Sequence, residues 1–423
     1  MAKKESKPKR KAKGPPKANH AGNVILHISD LHFGKPISDS ELRDKKIVFD
    51  QFNKTLSNLS KDWWPTCLCI TGDISHKNET AGYIEGAKWL VDLMDLLSID
   101  KNNLFICPGN HDLDRDCAAT IQQPKTEAEI DHLITIKRQV EFEKPFQKYI
   151  EFLENIGVSK YHYTENNLQT SFLFGMRLTS GLMRFVCYSP YFHDWDDKSK
   201  QVVIIGNKPL DWMEGERLIS RRPNYEEVCV VLMHCPRERM ADTERHSYNS
   251  LQPATWHRIA TMSHLILTGH DHQKPEPFDS TGWWAYTSGI GTIFNGIKYG
   301  NSFQLIKINR MEQCFEQKPF YWSEGSLSWI ESEGFQKKWP FKREKEESEF
   351  INTSAQDESS GERAKNLADH LWECIRKRDY NGAEILWNKD KNWYLATKDK
   401  IHHRWSKQID QCVLEINLMR DNP

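Results

Sequence analysis

The sequence predicts an α/β fold, in which the strands of a buried sheet alternate along the chain with helices. Two observations lead to this prediction: short continuous apolar runs bounded by turn residues, and helical stretches with one apolar face between them. Runs of this kind are typical of strands that are buried on both faces of a sheet. The predicted strands are Val24–Ser29, Cys67–Thr71, Leu104–Cys107, Phe185–Tyr188, Val228–Met233 and Leu265–Thr268.

Helices are predicted between the first three strands, over Glu41–Leu59 and Thr80–Leu97. In the second of them, apolar side chains recur every three or four residues, which places them along one face. A further helix is predicted around Ile136–Ile156. It belongs to a long segment, residues 113–183, that is interpreted as an insertion capping one edge of the site.

Strand-forming and aromatic residues are frequent between 281 and 330, in stretches such as Trp283–Thr287 and Ser302–Ile308. These stretches are expected to complete a second sheet. With them, the predicted α/β domain spans residues 23–342.

The composition excludes some classes of function. The chain has 423 residues, with 58 Lys and Arg against 59 Asp and Glu, so its net charge of −1 does not fit a histone-like polyanion binder. No apolar run is long enough to span a membrane, and the N-terminus lacks the apolar segment of a secretory signal. The ten cysteines form no C-x-x-C pair and several lie in apolar runs, which predicts free thiols in a reducing compartment. A cytoplasmic location is expected.

The two ends of the chain differ from the middle. Residues 1–22 carry eight Lys and Arg against one acid, Glu5, which predicts a disordered basic tail. The tail is either a solvated arm or an electrostatic arm for nucleic acid. Residues 343–362 are charged and rich in serine, as expected of a linker.

The region after this linker, residues 363–423, is predicted to be helical. Apolar residues recur there at helical spacing, at Leu367, Leu371, Cys374, Ile401, Trp405, Ile409, Cys412 and Ile416. This stripe predicts internal packing of a small helical unit. The alternative is a face for a protein partner or for a second copy of the chain.

The residues that carry chemistry follow the predicted strands. The clusters are Asp30 and His32 after the first strand, Asp73 after the second, Asn110, His111 and Asp112 after the third, His234 after the fifth, and His270 and His272 after the sixth. Ligand sites in α/β sheets form outside the carboxyl ends of the strands. All five clusters fall at that edge, so they are expected to form one site.

Apart from His111 and Asp112, these clusters contain seven oxygen or nitrogen ligands, from two aspartates, four histidines and an asparagine. One metal ion with three or four protein ligands cannot use them all. Two divalent ions that share a bridging carboxylate can use them, and such pairs act on both oxygens of a phosphoryl displacement. The mixture of imidazole and carboxylate favours manganese first, with iron, zinc, nickel or cobalt as alternatives, over calcium or magnesium.

The series D-L-H, G-D, G-N-H-D, H and G-H-D-H resembles the calcineurin-like metallophosphoesterase superfamily. The resemblance covers roughly residues 23–310. It implies a four-layered α/β/β/α sandwich of two mixed sheets, with a dimetal site at their carboxyl edge.

The resemblance also implies a role for each residue. The first metal ion would be held by Asp30, His32 and His272, and the second by Asn110, His234 and His270. Asp73 would bridge the two ions. His111 would assist the leaving group, with Asp112 as its orienting partner. A hydroxide that bridges the ions would then attack phosphorus in line.

A further stretch, I-G-N-K-P-L-D-W-M-E, is similar to a segment of bacterial cyclic-nucleotide phosphodiesterase-like members. Two departures stand beside it: Cys235 replaces the second histidine of an H-H-P motif, and Ser75 and His76 follow Ile74 where an aspartate is usual. Neither departure changes a metal ligand.

The sequence therefore predicts a phosphodiesterase that hydrolyses a nucleotide-type phosphodiester. A Mre11/SbcD-like nuclease acting on DNA or RNA is the first alternative, which the basic tail would favour. A phosphoprotein phosphatase and a catalytically silent scaffold are further alternatives. A scaffold would be expected to lack ligands, and this chain keeps all of them.

Some residues near these motifs have two interpretations. Arg237, Arg239 and Lys274 follow metal ligands and would meet a substrate phosphate, or else they are surface charges. Trp195, Trp283 and Trp284 would stack on a base, or else they belong to the core. His27 and His264 lie inside or beside apolar runs and are predicted to be structural.

Overall fold

The structure of the chain is a computed structural model, which describes residues 23–120, 144–158, 178–180, 183–187, 191–193, 202–207, 210–211, 228–245, 254–271, 279–280, 285–294, 300–309, 312–338, 358–377, 380–398 and 403–421. The predicted basic tail, residues 1–22, lies outside these ranges.

Fifteen strands occur in the described part of the chain. They are β1 (Asn23–Ile28), β2 (Cys67–Thr71), β3 (Leu104–Cys107), β4 (Leu178–Ser180), β5 (Met183–Cys187), β6 (Tyr191–His193), β7 (Val202–Ile204), β8 (Val228–Leu232), β9 (Leu265–Thr268), β10 (Asp279–Ser280), β11 (Tyr286–Gly289), β12 (Ser302–Asn309), β13 (Cys314–Ser323), β14 (Ser328–Glu331) and β15 (Phe335–Lys338).

The described residues also form nine α-helices. They are α1 (Asp39–Ser57), α2 (Thr80–Leu97), α3 (Arg115–Ala118), α4 (Gln147–Asn155), α5 (Asp242–Arg245), α6 (Thr255–Met262), α7 (Glu358–Lys377), α8 (Tyr380–Thr397) and α9 (His403–Asp421). The α2 bounds coincide with the prediction. Helix α1 begins two residues before its predicted start because Ser38 and Glu41 form a reciprocal capping box.

The first sheet has seven strands, in the order β14-β13-β12-β1-β2-β3, with β15 also paired to β13. Strands β1, β2 and β3 run parallel, whereas β12 lies antiparallel to β1. The second sheet has the order β10-β11-β9-β8-β5-β4. Its four central strands are parallel and its two edge strands are antiparallel.

Alternate residues of β8 show how the layers stack. Val228, Val230 and Leu232 belong to the core between the sheets. Cys229 and Val231 belong to a second core with Trp256 and Ile259 of α6. Because successive side chains of a strand point to opposite faces, the second sheet lies between the first sheet and α6.

The outer face of the first sheet is covered by helices. Buried residues of α1, α2 and α4, such as Phe52, Leu90 and Phe152, join the same core cluster as β1–β3. The layers therefore run helices, sheet, sheet, helix. This arrangement confirms the predicted α/β/β/α sandwich.

One expectation about the sheets is wrong in part. Strand β11 joins the second sheet as predicted, but β12, which covers the predicted strand Ser302–Ile308, joins the first. It pairs with β1 over Asn23 to His27, and β13 and β14 continue outward from it. The residue pattern identifies strands, but the partner of each strand is set by contacts distant in sequence.

The predicted cap, residues 113–183, is described only in part. Within the described part, α4 packs against α2, where the rings of Phe152 and Tyr83 lie 5.3 Å apart. Residues 121–143 and 159–177 lie outside the described ranges, so the predicted helix around Ile136–Ile156 is seen only from Gln147.

The C-terminal helices α7, α8 and α9 form a unit with a core of its own. Leu367 and Leu371 of α7 are buried with Ile409, Cys412 and Ile416 of α9. This packing confirms the internal role predicted for the apolar stripe. Helix α7 begins at Glu358, inside the predicted linker, and Ile401 lies outside the described residues.

Two other predictions concern buried groups. Nine of the ten cysteines are free thiols. His27 and His264 are structural: His27 hydrogen-bonds Thr71 and Gln304, and His264 Nδ1 accepts from the Cys229 N–H.

No helix in the described part of the chain combines the length and the apolar character needed to cross a membrane.

Candidate metal centre

The candidate site lies where parallel strands of both sheets end. The turns after β1, β2 and β3 carry Asp30, Asp73 and Asn110, and the turns after β8 and β9 carry His234 and His270. Hydrogen bonds join the turns within each sheet, from the Asp30 N–H to the Gly72 carbonyl and from the Gly269 N–H to the His234 carbonyl. Between the sheets, the His270 N–H donates to Asp30 Oδ2 at 3.1 Å. Five segments far apart in sequence thus meet at one edge, as predicted.

The backbone of these turns is strained at the predicted ligands. Asp30, His32, Asp73 and His270 have φ values of 53°, 45°, 55° and 73°. Residues other than glycine rarely adopt this left-handed region, which costs of order 1–3 kcal/mol each. Such strain is typical of functional sites, where the surrounding structure holds the backbone in a costly conformation that positions the side chains.

The turn after β2 has no room for a larger residue at Gly72. Its φ is 88°, and a Cβ there would lie 2.7 Å from His234 Nδ1. Glycine alone therefore lets the two sheets approach at this point.

Four ligand atoms cluster around His234. Its Nε2 lies 3.0 Å from Asn110 Oδ1, 3.3 Å from Asp73 Oδ2 and 3.2 Å from His270 Nδ1. His270 Nδ1 lies 3.1 Å from the same Asn110 oxygen. These are the residues that the resemblance assigns to the second metal ion, together with the bridging aspartate.

A hydrogen bond to the backbone fixes the tautomer of His234. Its Nδ1 lies 2.6 Å from the Thr71 carbonyl oxygen, which can only accept, so Nδ1 carries the proton. In the neutral ring the lone pair is then on Nε2, facing the other ligand atoms. A backbone carbonyl behind the ring is the usual support of a metal-binding histidine.

The first group contains Asp30, His32 and Asp73. His32 Nε2 lies 3.9 Å from Asp30 Oδ1 and 3.8 Å from Asp73 Oδ2. Asp73 Oδ2 therefore faces both His32 and His234, while Asp73 Oδ1 accepts from the His111 N–H at 2.8 Å. This position between the two groups suits a bridging carboxylate. His272, predicted as a further ligand, lies outside the described residues.

These residues fit metal ions on two grounds. Ligands bound about 2.0–2.2 Å from one ion lie about 3.0–3.5 Å from each other, which is the spacing around His234. In addition, the carboxylates of Asp30 and Asp73 are 0% and 1% exposed, and buried acids need a cation nearby. Imidazole, carboxylate and amide oxygen form a donor set for a transition metal.

The pKa values follow from this crowding. Burial opposes a charge on His234, but the carboxylates of Asp73 and Asp30 outweigh it and raise its pKa to about 10. Burial also favours neutral Asp73, yet His234, His111 and His32 hold its pKa well below the usual value. Burial and repulsion from His234 lower the pKa of His270 to about 4. The carboxylates thus favour positive charge at this point.

The contacts of Asp112 join two turns of the site. Its carboxylate accepts from the N–H groups of Ile74, Ser75 and Gly109 and from the hydroxyl of Tyr83. Among the described residues no hydrogen bond joins it to the His111 ring, whose buried Nδ1 has no partner there. The side chain folds back onto its own turn, so Asp112 ties the turn after β3 to the turn after β2.

His76 is a site residue that the sequence interpretation noted only as a departure from a family pattern. Its ring stacks on that of His111, with centroids 5.6 Å apart and an angle of 24°. One ring nitrogen from each of His32, His76 and His111 lies within 4.8 Å of the others. Its place three residues after Asp73 is the one sequence signal that could have drawn attention to it.

The predicted substrate contacts are only partly described. Arg239 pairs with Asp271 at 2.9 Å, and Arg237 lies in the same short turn after His234. Cys235 is fully buried, and burial raises the pKa of its thiol well above the usual value. Lys274, Trp195, Trp283 and Trp284 lie outside the described residues.

Comparison with known proteins bears on this geometry. The family model described as calcineurin-like phosphoesterase matches residues 24–274. An uncharacterized metallophosphoesterase-like protein of Bacillus subtilis, YydB, is 35% identical over 99 residues, which are 23% of this chain and 19% of that protein. The match thus spans about a fifth of the relative's length.

Solved structures show only a distant likeness. Vps29 from Cryptosporidium parvum is 13% identical, over 75% of this chain and 99% of that one, with a TM-score of 0.30. The calcineurin-like phosphoesterase YfkN from Bacillus subtilis is 10% identical, over 79% and 97%, with a TM-score of 0.29. The assignment rests instead on the family model, which spans more than half of the chain and includes all seven predicted metal ligands. The chain belongs to the calcineurin-like phosphoesterase family.

Proposed function

We propose that the protein is a dinuclear-metal phosphodiesterase that hydrolyses a nucleotide-type phosphodiester. The observation that carries the proposal is the position of Asp73 Oδ2, 3.8 Å from His32 Nε2 and 3.3 Å from His234 Nε2. One carboxylate oxygen thus faces two groups of metal-ligand type. When bound, two divalent ions lower the pKa of an attacking water and neutralise charge on the phosphoryl oxygens.

The protein residues have distinct roles in this proposal. Asp30, His32 and His272 would hold one ion, Asn110, His234 and His270 would hold the other, and Asp73 would serve both. Thr71 orients His234 through its carbonyl. Manganese is the metal we would load first.

His111 is proposed to protonate the leaving oxygen. Its N–H bond to Asp73 fixes the backbone next to the ligands, and its ring is half-buried, so substrate can reach it. The leaving alkoxide of a diester is a poor leaving group, and a positioned acid typically contributes about 10²–10⁴-fold to its departure.

The test is a panel of substrates with manganese-loaded protein, Asp73→Asn and His111→Ala. The panel holds cyclic mononucleotides, cyclic dinucleotides, single- and double-stranded DNA, RNA and a phosphopeptide, with products resolved by mass spectrometry. We expect cleavage of a small nucleotide, reduced about 10²–10⁴-fold in His111→Ala. Asp73→Asn should lose both bound metal and activity. Wild-type protein that binds two metal ions but cleaves nothing in the panel would contradict the proposal.

A nuclease is the second candidate, supported by the eight basic residues in 1–22. Cleavage of DNA or RNA alone would establish it. Binding of single-stranded DNA should then weaken steeply with salt, because basic side chains release counterions from phosphates.

A further inference from the structure

The imidazole of His76 stands on the more open side of the site. His76 and His111 are half-buried, whereas Asp30, Asp73 and His234 are buried. The His32 ring lies edge-on to both, with centroids 4.7 Å from His111 and 6.1 Å from His76. Three imidazoles therefore meet beside the proposed metal ions.

The backbone holds His76 in this place. Its N–H donates to the Phe33 carbonyl at 2.8 Å, and the hydroxyl of Ser75 both donates to and accepts from the backbone of Glu79. Lys77 and Asn78, the next two residues, have φ values of 57° and 54°. Two consecutive left-handed residues other than glycine are costly, and such strain clusters at functional sites.

The geometry of the ring pair does not suit a third metal ion. Metal ligands must aim their lone pairs at one point, and imidazole lone pairs lie in the ring plane. The planes of His76 and His111 are stacked and only 24° apart, and one nitrogen of each ring lies within 4.8 Å of the other. Two neighbouring imidazole N–H donors can bind two oxygens of one phosphate group.

The surroundings add positive charge. Lys35 lines a small cavity together with His32, and Lys77 follows His76 directly. None of the ligand roles assigned above uses His76. An anion held at this edge would face the proposed metal ions on one side and N–H donors on the other.

We infer that His76 contacts a phosphate oxygen of the substrate beside His111, as a second N–H donor to the phosphoryl group. The inference rests on the proposed function, since it concerns the same site. In this arrangement the phosphoryl group would lie between the metal ions on one side and the imidazoles of His76 and His111 on the other.

The test compares His76→Ala and His76→Gln with wild-type protein, all loaded with manganese. Three quantities are measured: bound metal by mass spectrometry, the Kd of inorganic phosphate by calorimetry, and kcat/KM for bis-p-nitrophenyl phosphate. Because a lost hydrogen bond to a charged group weakens binding roughly 10- to 100-fold, His76→Ala should raise the Kd and lower kcat/KM by this factor with two metal ions still bound. His76→Gln, which keeps an N–H donor, should recover part of both.

The control is His370→Ala, which removes an exposed imidazole from α7, a helix of the separate C-terminal core. It should match wild type in all three measurements. Added imidazole should restore part of the turnover of His76→Ala, which a merely structural role would not allow.

The outcomes separate the two proposals. If wild-type protein cleaves no ester, the proposed function fails, and the phosphate titration still decides the role of His76. Equal phosphate affinity in wild type and His76→Ala overturns the inference, as does loss of bound metal in His76→Ala. Failure of the loaded wild-type protein to bind phosphate overturns it as well.

Discussion

The carboxylate of Asp112 joins two turns that carry metal-ligand residues. Its Oδ1 accepts from the N–H groups of Ile74 and Ser75, and its Oδ2 accepts from that of Gly109. Burial and the charge of Asp73 raise its pKa to about 7, although these N–H bonds favour the ionised form. Its contacts make it a support of the metal ligands, because it fixes the chain on either side of Asp73.

We therefore expect Asp112→Asn to be more harmful than Tyr83→Phe, its matched control. The asparagine presents an NH₂ group to backbone donors and leaves at least one of them unpaired, which costs about 1–3 kcal/mol. Tyr83→Phe removes only one hydroxyl from the same carboxylate. Urea denaturation should show the larger loss in Asp112→Asn, and metal titration should show affinity weakened roughly 10- to 100-fold. Equal effects of the two variants would contradict this role.

At the scale of elements, β8 and β9 are joined by a buried histidine. His264, just before β9, accepts from the N–H of Cys229 in β8 at 3.0 Å. Its burial lowers its pKa from 6.5 to about 3. These two strands carry His234 and His270 at their ends, so the connection also supports the second group of ligands.

This histidine makes stability depend on pH. Below pH 6.5 the unfolded chain binds a proton at His264 that the folded chain does not bind, so stability falls as the pH falls toward 3. His264→Asn keeps an acceptor for Cys229 but cannot be protonated. The free energy of unfolding of wild type, relative to the variant, should fall by about 2 kcal/mol from pH 7 to pH 5. Urea denaturation at the two pH values measures this difference, and a constant difference would refute the assignment.

At the scale of the whole molecule, the phosphoesterase domain and the C-terminal helices have separate cores. A ring contact joins them, between His257 of α6 and Trp372 of α7, with centroids 5.1 Å apart. The proposed metal ions lie in the first body alone. Metal binding should therefore stabilise that body and not the helical unit.

Thermal unfolding with added manganese tests this expectation. Free metal at 100 times its Kd contributes about 2.7 kcal/mol, which corresponds to a rise of roughly 4 °C in the Tm of a domain of this size. Asp73→Asn should abolish the rise. A helix-specific transition of α7–α9 should stay at the same temperature, and an equal shift of both would show that the two bodies unfold together.

The sequence by itself determined the strands, the order of the motifs and the family. Continuous apolar runs are typical of strands buried on both faces of a sheet, and β2, β3 and β9 have the predicted bounds. Ligand residues at strand ends could be found because a carboxyl edge gathers whatever follows each parallel strand. For this reason, the predicted metal ligands that the structure describes lie close together.

Only the tertiary structure decided which strands are neighbours and what each site residue touches. The pairing of β12 with β1 joins residues that are 285 apart, Asn23 and Ile308, and no local pattern specifies such a partner. In the same way, the sequence placed Asp112 beside His111, but the fold of the turn directs its carboxylate to Ile74 and Ser75. His76 stacks on His111 in a turn whose next two residues are left-handed. Residue spacing does not reveal such backbone angles or the side-chain contacts that go with them.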